Sequence, residues 1–379
     1  MEKELTESEL RDILLSQKVR SELAYRSHYW CFHTYFAHYV KCKTAPFQKE
    51  LFRITEDEEI KMAAVVSFRG SAKSTIMGLS YPIWAILGVQ QKKFILIATQ
   101  TQQQAKLMIS NIRQELELNK LLKTDLGPFK EESNEWGSST LFIPKFGARI
   151  AAVSTEQSIR GMRNMENRPD LIIVDDAEDI NSTKTKEGRD KTFGWLVGDL
   201  IPTGDIDTKV IIIGNLLHED SLLMRLEEKI NKGKLEGIFL RYPLLDENNQ
   251  SIWPGKYPNM DVIERRRLRF GDDRSWQREF LLKIIPAENQ VIFREWIRHY
   301  DNLPEEGENV ELCYIATGVD LAISEKTEAD QTAFVSGKLY SIDGRPVLYI
   351  LPNPIHENID SQKTYARIKE VALALGNGV

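Results

Sequence analysis

The sequence predicts an α/β fold in which a mainly parallel sheet is flanked by helices. Short apolar runs rich in β-branched and aliphatic residues are typical of buried strands, and helical segments separate several of them. Five such runs are KMAAVVSF at 61–68, FILIATQ at 94–100, ARIAAVS at 148–154, LIIVDD at 171–176 and KVIIIGN at 209–215. Alternation of strands with helices favours a parallel sheet. Within TLFIPKFGARIAAVS, Pro144 and Gly147 predict a hairpin insertion.

Length and composition indicate a folded globular protein. The 379 residues are enough for two compact domains with hydrophobic cores. Hydrophobic residues make up 42% and charged residues 28%, which excludes a disordered chain and a fibre. The net charge of −6 at pH 7 neither indicates nor excludes a nucleic-acid partner, because a local basic face can coexist with acidic residues elsewhere.

The cysteines and the amino-terminal segment predict a cytoplasmic location. Cys31, Cys42 and Cys313 do not form the even, closely spaced set of a disulfide framework. The segment MEKELTESELRD lacks the apolar core of a signal peptide. No apolar run reaches the roughly 20 residues of a membrane helix, so no membrane partner is expected.

Four parts are predicted along the chain. Residues 1–60 form a helical cap that includes the aromatic-rich stretch HYWCFHTYFAHYV, and residues 61–239 form the sheet domain. Residues 240–305 have no series of strands and form a linker subdomain. In residues 306–379 strands are predicted in YIATGVDLA, TAFVSGKLY and RPVLYILPN, followed by a helix from about Ser361 to Leu375.

The segment AAVVSFRGSAKST has the context of a phosphate-binding loop (P-loop), a turn between an apolar strand and a helix. Backbone amides of such a turn cradle the β-phosphate, Lys73 neutralises β- and γ-phosphate charge, and Ser74 offers its hydroxyl to Mg²⁺. The residues predicted to hold the nucleotide phosphates are Arg69, Gly70, Ser71, Ala72, Lys73, Ser74 and Thr75.

The loop departs from the usual pattern GxxxxGK[ST]. Ser67 and Ala72 occupy the two glycine positions. Ala72 is tolerated at the second glycine position if its φ is negative, and Gly70 supplies the backbone freedom two residues earlier. The alternative is a lysine on an ordinary surface turn.

Adjacent acids end the strand in LIIVDDAED, about a hundred residues after Lys73. Hydrolysis of ATP needs a Mg²⁺-binding carboxylate and a second one that activates water. Asp175 is the expected metal carboxylate, and Asp176 or Glu178 is the expected water-activating group. The alternative is an acidic pair that caps the following helix.

FRGSAKST, SIRGMRNMENRPDLIIVDDAED and IIIGNLLHED occur in the order found in the large terminase subunits of tailed bacteriophages, which the chain resembles from about residue 46. SIWPGKYP and REFLLKIIPAENQVIF resemble the linker of that family, and YIATGVDLAISEKTEADQTAF resembles the start of its nuclease. The resemblance implies an ATP-driven motor that packages viral double-stranded DNA, with ATP and Mg²⁺ as cofactors.

The resemblance also implies roles for single residues. Gln48 would read the adenine edge, because an amide donates and accepts as adenine's N6 and N7 require; the alternative is a solvated helix residue. Arg160 would reach the γ-phosphate of a neighbouring subunit, with Arg163 and Arg69 as rivals and structural ion pairs as the alternative. Asn215 would sense the γ-phosphate, at a position where the family more often has threonine.

The second domain would be a ribonuclease-H-like nuclease that uses two divalent metals, Mg²⁺ or Mn²⁺. Asp320 matches the first metal ligand, an acid that is expensive to bury in an apolar strand unless it binds a metal. Asp330 would be a supporting acid. The further ligands would follow the last helix, so we expect an incomplete nuclease that does not cleave DNA by the two-metal route.

The resemblance implies partners and a location. The partners would be double-stranded DNA, the portal protein, the small terminase subunit and further copies in a ring during packaging; a monomer in solution is allowed. The protein would lie in the cytoplasm of the infected host and dock transiently on the procapsid portal. Alternatives are another helicase-like DNA-dependent ATPase and a truncated, non-catalytic terminase that acts in assembly or regulation.

Two further clusters have ordinary structural explanations. The spacing of His28, Cys31, His33, His38 and Cys42 matches no known metal motif, and the aromatic residues around them indicate packing. The arginines at 265–267 and Arg269 could follow a DNA backbone, or could form a solvated helix face.

Overall fold

The computed structural model describes residues 15–130, 136–157, 159, 161–284, 297–321, 332–352, 354–357 and 359–376. The chain divides into two compact units, Met1–Ala287 and Glu288–Val379. The strands of the first unit are β1 (Met62–Ser67), β2 (Phe94–Thr99), β3 (Thr140–Ile143), β4 (Ala148–Ser154), β5 (Leu171–Asp175), β6 (Lys209–Gly214) and β7 (Ile238–Tyr242). Its helices are α1 (Gln17–Arg26), α2 (His28–Tyr35), α3 (Pro46–Glu56), α4 (Tyr81–Leu87), α5 (Gln102–Leu118), α6 (Lys120–Leu126), α7 (Lys186–Trp195), α8 (Leu222–Asn231), α9 (Met260–Phe270) and α10 (Asp273–Leu281).

The strands of the first unit form one sheet in the order β3-β4-β2-β5-β6-β1-β7. Every pairing from β4 to β7 is parallel, and β3 pairs antiparallel with β4. The predicted α/β fold with a mainly parallel sheet is confirmed, and so is the hairpin. Its turn contains Pro144–Phe146 and ends at Gly147, whose φ of +58° lies in the left-handed region that glycine adopts without strain.

The sheet has one strand that the sequence interpretation did not contain. Strand β7 pairs with β1 at the sheet edge, although residues from 240 onward were assigned to a linker without strands. The strand is short and only partly buried, as an edge strand is, and its sequence IFLRY lacks the continuous apolar character of the central strands.

Strand order places three strand ends beside one another. Strand β6 lies between β5 and β1, and all three run in the same direction. Every residue of these three strands is buried, because helices cover both faces of the sheet. The residues that follow their carboxyl ends therefore share one edge of the sheet, where α/β proteins bind ligands.

Alternate residues of each strand enter two separate cores. In β1, Ala63 and Val65 face a core that contains the aromatic side chains of α2, whereas Ala64 and Val66 face the other side of the sheet. A third cluster joins Phe68, directly after β1, to residues from 244 to 280, including Trp253 and Phe280. The segment assigned to the linker is therefore packed against the loop that follows β1.

The amino-terminal helices are attached to the sheet domain through buried polar contacts. His28 is fully buried, its ring nitrogens lie 2.7 Å from Thr55 Oγ1 and 2.8 Å from Ser80 Oγ, and its ring stacks on Trp84. His33 contacts Thr44 Oγ1 at 2.7 Å. These contacts agree with the packing interpretation of the aromatic stretch.

A buried lysine connects β6 to α3. Lys209 is 1% exposed, and its Nζ donates hydrogen bonds to the carbonyls of Ile54, Thr55 and Asp57 at 2.5, 3.2 and 2.6 Å. Carbonyls at a helix carboxyl terminus have no partner within the helix, so the ammonium caps α3. Burial lowers the pKa of Lys209 to about 8, which leaves it charged at neutral pH.

The described part of the second unit is an antiparallel sheet with one helix. Its strands are β8 (Val310–Asp320), β9 (Thr332–Ile342), β10 (Arg345–Ile350) and β11 (Ile355–Glu357), and α11 spans Ser361–Ala374. Strand β9 pairs antiparallel with each of the other three. The three predicted strands and the helix are confirmed, and the short β11 was not predicted. Among the described residues, no helix is both long and apolar enough to cross a membrane.

We expect Lys209→Met to destabilise the protein because it leaves three helix-terminal carbonyls without their donor. The loss should be about 1–3 kcal/mol in urea unfolding. Lys61→Met is the matched control, because Lys61 is partly exposed and its ion pair with the exposed Asp207 is long, at 3.8 Å. The free energy of unfolding should change by no more than about 0.5 kcal/mol in this variant. Equal losses in the two variants would contradict the capping role.

Candidate nucleotide-binding site

The loop after β1 has two residues with a positive φ, separated by Ser71. Gly70 has a φ of +79° and Ala72 a φ of +75°. The condition of a negative φ at Ala72 is therefore not met. The turn needs a left-handed residue at the position where the usual pattern has glycine, and alanine adopts this conformation at a cost of roughly 1–2 kcal/mol. Ser74–Ser80 then winds as a π-helix that leads into α4.

Side chains inside the loop and from α3 stabilise its shape. The hydroxyls of Ser67 and Ser71 lie 2.7 Å apart and are buried. Gln48 Nε2 donates to the Ser71 carbonyl at 2.8 Å, and Gln48 Oε1 accepts from the Ala45 backbone N–H at 3.0 Å. Gln48 is 4% exposed, which excludes the alternative of a solvated helix residue.

Gln48 also lines a cavity of about 280 Å³ that borders the loop at Gly70, Ala72 and Thr75. We call it the base cavity. Aromatic residues Phe32, Tyr39 and Trp253 form part of its wall. A planar, mainly apolar ligand group with hydrogen-bonding edges fits such a lining.

Two hydrogen bonds join the loop to the neighbouring strand ends. Lys73 Nζ donates to Asn215 Oδ1 at 2.9 Å, across the boundary between β1 and β6. Ser74 Oγ donates to Asp175 Oδ1 at 3.2 Å, which reaches β5. The structure therefore brings together four of the predicted residues from three separate segments, and Lys73, 7% exposed, is not a lysine on a surface turn.

The pair of Ser74 and Asp175 fits a divalent cation such as Mg²⁺. Both groups offer oxygen, the ligand atom that Mg²⁺ prefers. A Cβ at Gly78 would lie 3.3 Å from Asp175 Oδ2, so a larger residue would crowd this carboxylate. Burial, and then the charge of Asp176, raise the pKa of Asp175 to about 7, while Lys73 and Ser74 lower it. A cation would restore the charged carboxylate.

Asp176 and Glu178 line one very small cavity with Asn215 and Leu222, but their carboxylates have different neighbours. Asp176 has a φ of +45°, and its backbone N–H donates to the carbonyl of Ile213 at 3.0 Å. A Cβ added to Gly214 would lie 3.5 Å from Asp176 Oδ1, which locates this carboxylate beside the end of β6.

Glu178 contacts the start of α8. Its Oε2 accepts from the backbone N–H of Leu222 at 2.8 Å, and its Oε1 is buried with no hydrogen-bond partner among the described residues. Burial raises the pKa of Glu178 to about 7. No helix starts directly after the acidic pair, since α7 begins at Lys186 with Thr185 as its cap, so the alternative of an N-capping pair is wrong.

Three ionic contacts near α8 were not predicted. Asp220 accepts from Arg189 Nε at 2.9 Å and from Arg225 Nε at 2.7 Å, and these guanidinium groups hold the pKa of Asp220 well below its usual range. Arg225 also lies 2.7 Å from Asp190. This network ties α7 to α8, the helix that Glu178 contacts.

Lys256 is a further residue that sequence reasoning missed. Its Nζ donates to the Gly70 carbonyl at 2.6 Å, so the segment after Trp253 contacts the phosphate loop directly. The lysine lies in SIWPGKYP, the segment that resembles the family's linker, and no local pattern there indicates a contact with Gly70.

The predicted arginines and the acid predicted for a nuclease lie outside the group of residues around Lys73 and Asp175, or outside the described residues. Arg69 is 62% exposed on its side chain and lies 3.7 Å from Glu279 Oε2. Arg163 is exposed, and Arg160 lies outside the described residues. Asp320 is exposed at the end of β8, opposite Ala333, so it is not buried as expected; Asp330 lies outside the described residues. No group of three His, Cys, Asp or Glu converges within the described part of the chain.

No protein-family model and no curated protein matches the chain. Among solved structures, the large terminase of bacteriophage HK97 is 15% identical, with a TM-score of 0.46 over 87% of this chain and 66% of that chain. The large terminase of a thermophilic bacteriophage in complex with ADP is 13% identical, with a TM-score of 0.43 over 87% of this chain and 74% of that chain. The ATPase domain of the Thermus phage P74-26 large terminase is 15% identical, with a TM-score of 0.39 over 63% of this chain and 92% of that chain. This chain is similar to these phage terminases in structure, and nothing about its chemistry follows from the likeness.

We expect Ala72→Gly to bind nucleotide about as well as the wild type. Glycine relieves roughly 1–2 kcal/mol of left-handed strain, and its greater freedom in the unbound loop offsets about 0.4–1 kcal/mol of this gain. Ala72→Val should weaken binding at least about tenfold, because a β-branched residue is a genuine outlier at positive φ. Titration with a fluorescent ADP analogue measures both. Wild-type affinity in the valine variant would contradict the assigned backbone conformation.

We expect Glu178→Gln to flatten the pH dependence of stability. The folded-state pKa of about 7 lies above the ordinary value of 4.5, so the folded protein keeps a proton that the unfolded chain releases. Stability contributed by this proton is present below about pH 4.5 and is lost as the pH rises through about 7. The unfolding free energy of the wild type should therefore fall more steeply than that of Glu178→Gln in urea melts across this window. Parallel curves would show that Glu178 is not the buried acid described here.

Proposed function

We propose that this chain is an ATP-driven motor that moves double-stranded viral DNA, as the large terminase subunits it resembles in sequence do. The observation that carries the proposal is the convergence of Lys73, Asn215, Ser74 and Asp175 through two hydrogen bonds. A phosphate-binding lysine, a polar sensor and a metal-binding pair are the parts that nucleotide hydrolysis requires at one strand edge.

The proposed chemistry assigns each group one task. The loop amides and Lys73 hold the β- and γ-phosphates, and Ser74 and Asp175 hold Mg²⁺, which supplies charge neutralisation on the phosphates. Asp176 orients and deprotonates the attacking water. We prefer Asp176 to Glu178 because one oxygen of Glu178 already accepts from the Leu222 amide, whereas Asp176 lies beside the strand end that leads to Asn215.

Binding of adenine is proposed at the base cavity. Gln48 would contact the edge of the base. Its amide donates one proton to the Ser71 carbonyl and accepts from the Ala45 N–H with one oxygen lone pair. A second proton and a second lone pair are left for the base. Asn215, released from Lys73 when the γ-phosphate is present, would report hydrolysis to the segment that leads into α8. Arg160 of a neighbouring copy would stabilise the transition-state charge in a ring.

The remaining expectations belong to the same proposal. Double-stranded DNA, the portal protein and the small terminase subunit would be partners, in the cytoplasm of the infected host with transient docking on the procapsid portal. Nuclease chemistry depends on Asp320 and the sequence resemblance, and the exposed position of Asp320 adds no support. A helicase-like DNA-dependent ATPase would use the same phosphate site, whereas a non-catalytic terminase would leave it unused.

We expect Lys73→Ala to lower ATP hydrolysis at least about a hundredfold, because a single positioned donor at the transition state contributes that much. Release of inorganic phosphate is the measurement. Lys232→Ala is the matched control, since this exposed lysine pairs only with Glu228 at the end of α8 among the described residues; its rate should equal that of the wild type. Equal rates for the wild type and Lys73→Ala would exclude the motor and favour the non-catalytic alternative.

A further inference from the structure

A strongly basic groove lies beside the phosphate loop. Its volume is about 770 Å³. Five cations from three segments line it: Arg69 from the loop, Lys256 from the turn after Trp253, and Arg265, Arg266 and Arg269 from α9. The other lining residues are Gly70, Tyr257 and Val262, so no acid is among the described residues of the wall. We call it the basic groove.

The arginines of α9 fall into two kinds. Arg267 lies outside the groove and is paired, at 2.6 Å from Asp273 and 3.6 Å from Glu264. Arg265, Arg266 and Arg269 are exposed, and within the described part of the chain none of them forms an ion pair with a carboxylate. Their charge is available to a ligand.

The cations are close enough to act on one another. Burial lowers the pKa of Lys256; Cys42 opposes this shift, and the positive charge of Arg266 adds a smaller lowering effect. The whole chain carries a net charge of −6, so this positive region is a local feature and not a consequence of composition. Such a concentration of like charge in one cleft favours an anionic ligand.

The form of the groove indicates what kind of anion fits. Arg265 and Arg269 are four residues apart on α9, so they lie on one face about one helical turn from each other. With Lys256 and Arg69 they offer several contact points to an extended polyanion. The charged side chains of the wall are arginines and a lysine, which bind phosphates of any sequence, while Tyr257 and Val262 give it an apolar side that can contact sugars.

We propose that the basic groove binds the phosphodiester backbone of double-stranded DNA independently of sequence, directly beside the phosphate loop. This inference rests on the proposed DNA motor and adds the surface that DNA occupies. The proposed nucleotide contacts of Lys73, Ser74 and Gln48 lie outside the groove wall, whereas Arg69 and Gly70, which the sequence also predicts to hold phosphates, line it.

A single side chain connects the two sites. Lys256 lines both the basic groove and the base cavity, and it donates to the Gly70 carbonyl at 2.6 Å. A DNA phosphate that attracts Lys256 competes with this carbonyl for the ammonium and so acts on the phosphate loop. DNA in the groove should therefore change the rate of ATP hydrolysis.

The test compares Arg269→Ala and the double variant Arg265→Ala/Arg269→Ala with Arg267→Ala, which removes a paired arginine from the same helix. Binding to a short duplex of mixed sequence is measured by fluorescence anisotropy over a range of salt concentrations. Each lost phosphate contact should reduce the slope of log K against log salt by about 0.9. We expect a reduction in the single groove variant, a larger one in the double variant, and none in Arg267→Ala. ATP hydrolysis without DNA should be unchanged in all three, and its stimulation by DNA should fall only in the groove variants.

Several outcomes would overturn the inference. Equal salt slopes in Arg269→Ala and Arg267→Ala would show that DNA does not occupy the groove. Weaker nucleotide binding with an unchanged slope would assign the groove to the nucleotide, and loss of self-association with an unchanged slope would assign it to a second copy of the chain. If only the groove inference is wrong, the wild type still hydrolyses ATP and still loses this activity on Lys73→Ala. If the wild type does not bind DNA at all, both the groove inference and the proposed DNA motor are wrong.

Discussion

The site depends on the order and register of the three strands β1, β6 and β5, which also set the hydrogen bond between Lys73 and Asn215. Strand β6 separates β1 from β5, and Ile213 is level with both Val65 and Asp175 in the two parallel pairings. A slip of one residue in β6 would turn Asn215 to the other face of the sheet. The continuous burial of the three strands fixes this register, because each face of the sheet packs against its own core.

The amino-terminal helices contact both the loop after β1 and the sheet. Helix α3 carries Gln48, whose amide holds the Ser71 carbonyl, and the far end of the same helix is capped by Lys209 from β6. The sheet therefore holds α3 through one strand, and α3 in turn holds the phosphate loop. His28 adds a contact between the first helices and both Thr55 and Ser80.

The central strands and the order of the motifs could be predicted because they depend on local patterns. Continuous apolar runs identify buried strands, and the groups that follow them must share an edge when the strands are parallel. Other features depend on distant contacts that no local pattern contains. Glu178 and Leu222 are 44 residues apart, and Lys256 and Gly70 are 186 residues apart. The φ of Ala72 and the edge position of β7 likewise follow from tertiary geometry.

The burial expected for Asp320 came from the apolar residues next to it in the sequence, whereas its exposure depends on what packs on β8 in the fold.

Ala72 has a consequence for how fast the site can exchange its ligand. Glycine at this point would let the empty loop visit many shapes, and most of them would have to be given up whenever a nucleotide arrived. The Ser67–Ser71 and Gln48–Ser71 contacts, and not the preference of alanine itself, hold the loop at a φ of +75°, and the methyl group of Ala72 leaves the backbone fewer alternative shapes than glycine has. Capture of a nucleotide at the proposed site would then need little rearrangement of the backbone, which favours fast binding.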